Sequence, residues 1–155
     1  MHVEIERKFL VDSLDAVKGA LPVPVRQGYL ARGDGEEARV RRQGEEFTLT
    51  VKRGFGLSRA EFQIELRPEQ FQELWPATEG ARVTKTRYAV ALPDGNTAHV
   101  DVFDERLRGL ATVEVEFGSE DEAHAFGPPP WFGKEVTEDA RYANRALSSA
   151  DGVPA

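Results

Sequence analysis

The sequence predicts a mainly β fold of the α+β class, in which about eight strands form an antiparallel sheet or barrel with a few helices outside it. In several segments apolar and polar residues alternate with a period of two, which is typical of strands. Clusters of glycine, proline, asparagine and aspartate separate these segments at short intervals, as turns do. Both patterns favour short strands joined by hairpins.

Four of the predicted strands have a clean alternation. In one of them Phe47, Leu49 and Val51 fall on one face, and polar residues occupy the positions between them. In another, only Arg7 interrupts the pattern. The four strands are Val3–Phe9, Phe47–Lys52, Arg59–Arg67 and Thr112–Gly118. Weaker alternation predicts four more, which are Arg26–Ala31, Glu37–Gln43, Arg82–Leu92 and Ala98–Glu105.

Helices are expected between some of these strands. The first begins with a proline in its first turn and ends before Pro76. The second has Ser119 at its N-cap and Glu122 three residues later, a capping box. Thr137 is the expected cap of the third. The predicted helices are Pro68–Trp75, Ser119–Phe126, one from Thr137 to about Ser148, and a short one near Leu14–Leu21.

Length and composition exclude several classes of protein. The 155 residues suit one domain over residues 1–150, with a frayed tail at 151–155. The chain has 20 basic and 27 acidic residues, and its net charge of −7 argues against a general nucleic-acid binder. Cysteine is absent, which excludes disulfides, thiolate metal sites and a cysteine nucleophile.

The chain carries no sequence signal for export or for a membrane. Its first residues have no apolar region of the secretory type. No apolar run approaches the ~20 residues that span a bilayer. We therefore expect a cytoplasmic protein that has no membrane partner.

The polar faces of the predicted strands are ionisable almost throughout. An antiparallel sheet commonly has one face in water, and on a single strand alternating charges mean no more than that. A merely wet face, however, usually mixes Thr, Ser and Gln with charged residues. The charged positions here are Glu4, Glu6, Lys8, Arg39, Arg41, Lys52, Arg59, Glu61, Glu65, Lys85, Arg87, Asp101, Glu114 and Glu116.

A barrel closed with these faces inward would contain acids and bases in similar numbers. Buried charges require partners or a bound ligand. A polyanion with a divalent cation uses both signs, because carboxylates coordinate Mg²⁺ or Mn²⁺ and basic residues bind phosphate oxygens. Glutamates two residues apart on a strand point the same way, about 6–7 Å apart. Glu4 with Glu6, and Glu114 with Glu116, can therefore enclose one or two cations.

These residues also resemble a known family. The segment Glu4-Ile5-Glu6-Arg7-Lys8 is similar to the Glu-x-Glu-x-Lys signature of the CYTH superfamily, the triphosphate tunnel metalloenzymes. The segments that follow it in the family's order are Arg39-Val40-Arg41, Thr50-Val51-Lys52, Arg59-Ala60-Glu61, Lys85-Thr86-Arg87, Asp101 and Glu114-Val115-Glu116. Residues 27–30 and 128–144 resemble the short bacterial members with inorganic tripolyphosphatase activity. The resemblance covers nearly the whole chain and implies an eight-stranded antiparallel closed β-barrel, the triphosphate tunnel.

The resemblance also implies roles for individual residues. The implied metal ligands, for Mg²⁺ or Mn²⁺, are Glu4, Glu6, Asp101, Glu114 and Glu116. The implied substrate-binding residues are Lys8, Arg39, Arg41, Lys52, Arg59, Lys85 and Arg87. The implied catalytic residues are Lys8, Tyr29, Lys85 and Glu61, with Tyr29 expected to approach Lys8. Gln63 departs from the family, since many members have a carboxylate there, and this leaves the number of metal sites open.

The activity that follows from the resemblance is metal-dependent hydrolysis of inorganic tripolyphosphate to pyrophosphate and phosphate. A second hypothesis in the same fold is a thiamine triphosphatase, a nucleotide triphosphatase or an adenylate cyclase. Family cyclases carry His-Phe where this chain has Glu4-Ile5, which counts against a cyclase. A third hypothesis is a non-catalytic module that binds polyphosphate. The oligomeric state, monomer or homodimer, stays open.

Two further groups of residues carry weaker signals. The histidines, His2, His99 and His124, are scattered without a ligand spacing, and we do not expect them to bind metal. Arg141 could close one mouth of the tunnel, but a solvated helix face explains it more simply.

Overall fold

Nine strands form one antiparallel sheet in the computed structural model, which describes residues 1–155. The strands are β1 (His2–Val11), β2 (Val23–Gly33), β3 (Glu36–Gln43), β4 (Glu46–Arg53), β5 (Ser58–Glu65), β6 (Arg82–Ala91), β7 (Thr97–Phe103), β8 (Ala111–Glu116) and β9 (Phe132–Glu135). Their order is β5-β4-β3-β2-β6-β7-β8-β1-β9, and β5 also pairs with β1. That pairing closes an eight-stranded barrel, as predicted, and β9 is an extra strand.

The closure depends on β1, because three other strands pair with it. On one edge, Glu6 to Leu10 pair with β8. On the other edge, residues 2–5 pair with β5, and Phe9 and Val11 pair with β9. The seam between β1 and β5 consists of four residue pairs, from His2 with Glu61 to Ile5 with Ser58. Beyond them β5 diverges from β1, and β9 takes its place.

The helices are short and lie outside the sheet. They are α1 (Pro68–Leu74), α2 (Glu120–Ala125) and α3 (Asn144–Leu147), with 3₁₀ turns at Asp15–Val17, Trp75–Thr78, Glu105–Leu107 and Ala140–Tyr142. The predicted N-cap of α2 is confirmed, since the amide of Glu122 donates to Oγ of Ser119 at 3.1 Å. None of the helices is long and apolar enough to cross a membrane.

Two helix predictions were wrong. The segment expected to be helical from Thr137 to about Ser148 contains only a 3₁₀ turn and the single turn of α3. Thr137 does not cap it, because its hydroxyl accepts from the backbone amide of Lys8 at 3.0 Å and so supports β1. The helix expected near Leu14–Leu21 is reduced to the 3₁₀ turn Asp15–Val17.

The apolar faces of the strands point outward, and the main core lies there. It is formed by Ile5, Phe9, Leu92, Ala98, Val100, Val113, Val115, Phe117, Ala123, Phe126 and Phe132. Helix α2 and strand β9 cover this face. The ring of Phe9, for example, lies 5.1 Å from that of Phe132. This arrangement leaves the interior of the barrel to the charged face.

Arg7 is the one charged residue of β1 that faces outward, and its contacts explain the interrupted pattern. Its guanidinium makes two hydrogen bonds to the Glu135 carboxylate, at 2.9 and 2.7 Å. It also donates to the carbonyl oxygens of Ala123 and Phe126 at 2.9 and 3.1 Å. Arg7 therefore fastens both α2 and β9 to the barrel, and its role is structural.

A second core fills one end of the barrel and is called the apolar plug below. It consists of Val83, Phe103, Leu107, Leu110, Val136, Tyr142 and Leu147, with Leu10 packed against it. Along three strands the inward-facing position changes from charged to apolar on entering it: Lys8 to Leu10, Lys85 to Val83, and Asp101 to Phe103. The C-terminal segment supplies Tyr142 and Leu147, so the end of the chain closes this side of the barrel.

The residues after α3 stay close to the barrel. Arg106 donates to the carbonyl oxygen of Ala150 at 2.7 Å, and Arg141 donates to that of Ala155 at 2.9 Å. The assignment of residues 1–150 to one domain, with a frayed tail, stays a prediction.

Candidate active site

The interior of the barrel is a cavity of about 330 Å³. Thirteen of the fourteen predicted site residues line it: Glu4, Glu6, Lys8, Tyr29, Arg39, Arg41, Lys52, Arg59, Glu61, Lys85, Arg87, Glu114 and Glu116. The period of two places them there, because residues two apart on a strand face the same side.

Asp101 is the exception, and its place differs from the prediction. It is fully buried behind Lys85 and Arg87 and does not line the cavity. Lys85 Nζ lies 2.8 Å from Oδ2, and Arg87 makes two bonds to the carboxylate at 2.8 and 2.9 Å. Burial alone would raise the pKa of Asp101, but these two cations outweigh it and lower the pKa to about 2. In this arrangement both oxygens bind bases, and a role for Asp101 as a metal ligand stays a prediction.

A second network of ion pairs lies across the seam between β1 and β5. The Glu4 carboxylate is 2.7 Å from Nζ of Lys52 and 3.3 Å from Nη2 of Arg59. Arg59 also binds Glu37 at 2.8 Å, and Lys52 lies 3.6 Å from Glu61. Burial would raise the pKa of Glu4, but Lys52 and then Arg59 lower it overall. These five side chains hold one another in place.

Glu6 differs from the other acids because no basic side chain forms an ion pair with it. It faces Glu116 across the β1–β8 ladder, and the neighbouring Lys8 is 3.2 Å from Glu114. Burial, followed by the negative charges of Glu114 and Glu4, raises the pKa of Glu6 to about 8. The tunnel therefore contains an acid whose charge lacks a cation.

Arg41 is the counterpart of Glu6, a basic residue that has no acidic partner. No carboxylate forms an ion pair with Arg39 or Arg41, and the Nε atoms of both are buried without a hydrogen-bond partner. Burial, followed by the positive charges of Arg39 and Arg87, lowers the pKa of Arg41 to about 9. Such a group favours a bound anion, since an anion supplies both acceptors and the opposite charge.

The glutamates suit a hard divalent cation in donor type, because Mg²⁺ and Mn²⁺ prefer carboxylate oxygens. The raised pKa of Glu6 agrees with such an ion, because a bound cation would offset the negative charges of Glu114 and Glu4. No group of three or more His, Asp or Glu side chains has converged in a geometry that would hold a metal. The reason is visible in the contacts: Glu4 binds Lys52, Glu114 binds Lys8, and Glu116 lies 2.9 Å from His2.

Tyr29 is buried in the wall of the tunnel. Gln27 Nε2 lies 3.3 Å from its hydroxyl oxygen, and burial is the main cause that raises its pKa. No hydrogen bond joins Tyr29 to Lys8, whose Nζ instead donates to the carbonyl oxygen of Tyr142 at 3.1 Å. The phenol is therefore kept in its neutral form, which can donate a hydrogen bond.

The two ends of the tunnel differ in exposure. At one end the side chains of His2 and Glu116 are 57% and 50% exposed. Toward the apolar plug the side chain of Lys85 is only 1% exposed. The cavity is therefore more open to solvent at the end marked by His2 and Glu116.

Several residues that line the cavity were not predicted, among them Glu37, His99, Phe55, Glu138, Asn144 and Arg145. Glu37 stands two residues before Arg39, and His99 two residues before Asp101, so the strand period pointed to both. The C-terminal segment has no such period. Arg141, which was considered as a closure of one tunnel mouth, is exposed and pairs with Asp139 at 2.8 Å.

Comparison with known proteins places this geometry in context. The CYTH domain family matches residues 2–146. The chain is 56% identical over 147 residues to a protein of Nitrosomonas europaea named inorganic triphosphatase. The match covers 94% of this chain and 96% of that protein. It is 37% identical over 150 residues to an inorganic triphosphatase of Acetivibrio thermocellus. That match covers 95% of this chain and 94% of the relative.

A solved structure agrees with the fold. The crystal structure of the inorganic triphosphatase NE1496 superimposes with a TM-score of 0.71 and 51% sequence identity, over 96% of this chain and 99% of that one. The barrel, the charged interior and the match along nearly the whole sequence lead to the same conclusion: this chain belongs to the CYTH domain family.

Proposed function

We propose that this protein hydrolyses inorganic tripolyphosphate to pyrophosphate and phosphate, with Mg²⁺ or Mn²⁺ as its cofactor. The observation that carries the proposal is a pair of ionisable groups of opposite type inside the tunnel, Glu6 and Arg41, neither of which has an ion-pair partner. A polyphosphate with its metal ion matches both, because the cation complements Glu6 and the phosphate oxygens complement Arg41.

The basic residues of the tunnel would bind the substrate. Arg39 and Arg41 have N–H groups without protein acceptors, and we assign them the first contacts with phosphate oxygens. Lys8, Lys52, Arg59, Lys85 and Arg87 are assigned to the remaining oxygens. Lys8, Lys52 and Arg59 would exchange an existing glutamate contact for phosphate, whereas Lys85 and Arg87 would keep their contacts to Asp101.

The glutamates on β1 and β8 would hold the metal. We assign Glu6 together with Glu4, Glu114 and Glu116, which provide oxygen donors from two adjacent strands. A bound divalent ion neutralises phosphate charge and lowers the pKa of a bound water. For Asp101 we propose a different role, in which its two ion pairs orient Lys85 and Arg87 toward the cavity.

The protein's remaining contribution is positioning, since phosphoryl transfer depends on alignment and charge stabilisation more than on covalent help. Lys8 and Lys85 are held rigidly enough to stabilise charge that develops on the leaving oxygen. Tyr29, kept neutral by burial, can donate to the same region. Glu61, which contacts only Lys52, is our candidate for orienting the attacking water.

The substrate class follows from what lines the cavity. Of its lining residues only five are hydrophobic, and Phe55, in the turn between β4 and β5, is one of its few aromatic side chains. Recognition of a nucleobase or of thiamine would call for apolar or stacking surface, and most of this wall is charged. The names of the relatives, which are inorganic triphosphatases, agree with an inorganic chain.

The test is phosphate release from tripolyphosphate, pyrophosphate, ATP, GTP and thiamine triphosphate, each with Mg²⁺, Mn²⁺ or a chelator. We expect fast release from tripolyphosphate alone, and none with the chelator. A preference for an organic triphosphate would overturn the substrate while keeping the chemistry. No release from any substrate, together with tight binding of tripolyphosphate, would indicate a non-catalytic binding module instead of an enzyme.

A further inference from the structure

Asn144, the first residue of α3, contacts the tunnel from outside the barrel sheet. It lines the cavity, and its Oδ1 lies 3.3 Å from Nζ of Lys85. Lys85 is almost wholly buried, and its second contact is Asp101 at 2.8 Å. Its ammonium group is therefore held from two sides, by β7 and by the C-terminal segment.

The chemistry of the two groups fixes how the amide is turned. An ammonium group has three donors and no acceptor, so it can only be met by the amide oxygen. The amide nitrogen of Asn144 then points elsewhere with two N–H donors, and no protein group accepts from it. Since Asn144 lines a cavity built for an anion, phosphate oxygens are the matching acceptors for these donors.

The segment that carries Asn144 is firmly attached. Arg32 donates to the carbonyl oxygen of Arg145 at 3.0 Å, and Arg106 donates to that of Leu147 at 2.7 Å. Leu147 is fully buried in the apolar plug. The guanidinium of Arg145 also stacks on the ring of Phe55, 5.3 Å from its centre. Asn144 is thus presented to the tunnel by a fixed scaffold.

We infer that Asn144 is a positioning residue of the active site, which holds Lys85 through its amide oxygen and donates its amide N–H groups to a phosphate oxygen of the substrate. This inference rests on the proposed function for its substrate. It makes the C-terminal segment part of the catalytic apparatus, not only a cover for the end of the barrel.

Two substitutions separate the two contacts. Asn144→Ala removes both, and we expect kcat to fall about tenfold to a hundredfold, the usual effect of losing hydrogen bonds to charged groups. Asn144→Asp keeps an acceptor for Lys85 but replaces the donors by a negative charge. We therefore expect its KM for tripolyphosphate to rise at least about tenfold while kcat falls less than in the alanine variant. Arg141→Ala is the matched control, because Arg141 lies on the same segment but does not line the cavity; its contacts are Asp139, Ala155 and the Tyr142 ring.

The readouts are kcat and KM with tripolyphosphate, the calorimetric affinity for tripolyphosphate, and thermal unfolding of each variant. Kinetics and affinity of Asn144→Ala within twofold of wild type would overturn the inference. So would the same kcat and KM in the alanine and aspartate variants, since a merely structural role predicts no split between them. If Asn144→Ala does not fold, the KM of the aspartate variant is the test: the expected rise supports the inference, and an unchanged KM overturns it.

Failure of the proposed function would look different. In that case the wild-type protein itself releases no phosphate from tripolyphosphate. Asn144 is then judged by affinity alone: weaker binding of tripolyphosphate to Asn144→Ala than to Arg141→Ala supports its contact with phosphate, and equal binding overturns it.

Discussion

Lys52 and Glu4 form a buried ion pair that reaches across a whole strand. Lys52 lies on β4 and Glu4 on β1, with β5 between them, yet Nζ is 2.7 Å from Oε2. Their side chains are only 5% and 9% exposed. A metal or phosphate that binds here must exchange partners with this pair. The charged interior is therefore a set of contacts that ligands can replace, and variants that remove one member have unequal effects.

Arg41→Ala and Arg59→Ala should separate binding from stability. Arg41 has no acidic partner, so its removal deprives no carboxylate of a cation, and we expect unchanged or higher stability. We also expect the KM for tripolyphosphate to rise about tenfold to a hundredfold. Removal of Arg59 leaves Glu4 and Glu37 without one of their cations, and we expect a loss of about 1–3 kcal/mol of unfolding free energy. Urea unfolding and steady-state kinetics on both variants measure this.

Arg53→Ala provides a surface control for the same pair of variants. Arg53 is 63% exposed and binds only Glu36, and an exposed ion pair of this kind contributes little. We expect its kinetics and unfolding to match wild type. If Arg41→Ala lowered stability as much as Arg59→Ala, the distinction between paired and unpaired arginines would fail.

Glu6→Gln should abolish turnover and spare the fold. The side chain lies among other acids, which favour its protonated form, and glutamine is neutral and has the same shape as that form. We expect metal-dependent phosphate release to fall about a hundredfold or more, since several kcal/mol of catalysis are assigned to the metal. Thermal unfolding should stay at or above the wild-type temperature. Glu73→Gln, on the exposed face of α1, is the control; near-wild-type release by Glu6→Gln would remove Glu6 from the metal site.

Asp101→Asn should be strongly destabilising. The substitution leaves Lys85 and Arg87 buried beside each other without their shared anion. Breaking a buried ion pair from one side typically costs about 3–5 kcal/mol. Guanidinium unfolding would measure the loss, and Asp15→Asn, which affects only an exposed pair with Lys18, should leave the unfolding midpoint unchanged. A folded, stable Asp101→Asn enzyme that had lost only its metal affinity would instead restore Asp101 as a ligand.

Gly28→Ala should destabilise the barrel without touching the site. A Cβ at residue 28 would clash with the side chain of Thr78, whose hydroxyl donates to the carbonyl oxygen of Trp75. Overpacking of this kind costs about 1–3 kcal/mol. Gly33→Ala is the matched control, because nothing lies within 4 Å of the added carbon. Equal unfolding free energies for the two variants would contradict the close packing of β2 against residues 75–78.

The barrel and the charged tunnel could be predicted because the strand period is simple and was rarely interrupted. Once Glu4 and Glu6 face one side, so does Lys8, and the same holds for Arg39 with Arg41. The one interruption, Arg7, needed partners that are far away in sequence: Glu135 and the carbonyl oxygens at the end of α2. No local pattern contains that information.

The remaining differences have the same origin. The strand period places Asp101 on the inward face, as expected for a ligand. Its position behind the cavity wall, however, depends on two basic residues of the neighbouring strand. Asn144 and Arg145 reach the tunnel only because Leu147 and Tyr142 bury themselves in the apolar plug, and a single helical turn has too few residues to show a period. The predicted helix after Thr137 failed for a related reason, since Thr137 binds the backbone of β1.

The pairing of β1 with β8 and β9 has a consequence for the order in which the protein forms during synthesis. β1 leaves the ribosome first, but Glu6 pairs with Glu116 and Phe9 with Glu135. At the usual rate of synthesis, roughly 5–20 residues per second, β1 waits about 5–20 s for β8. Until then only residues 2–5, which pair with β5, can have a strand partner, and the two halves of the proposed metal site lie on segments that have not yet met. A nascent chain that stops before Ala111 therefore lacks β8 and cannot close the barrel.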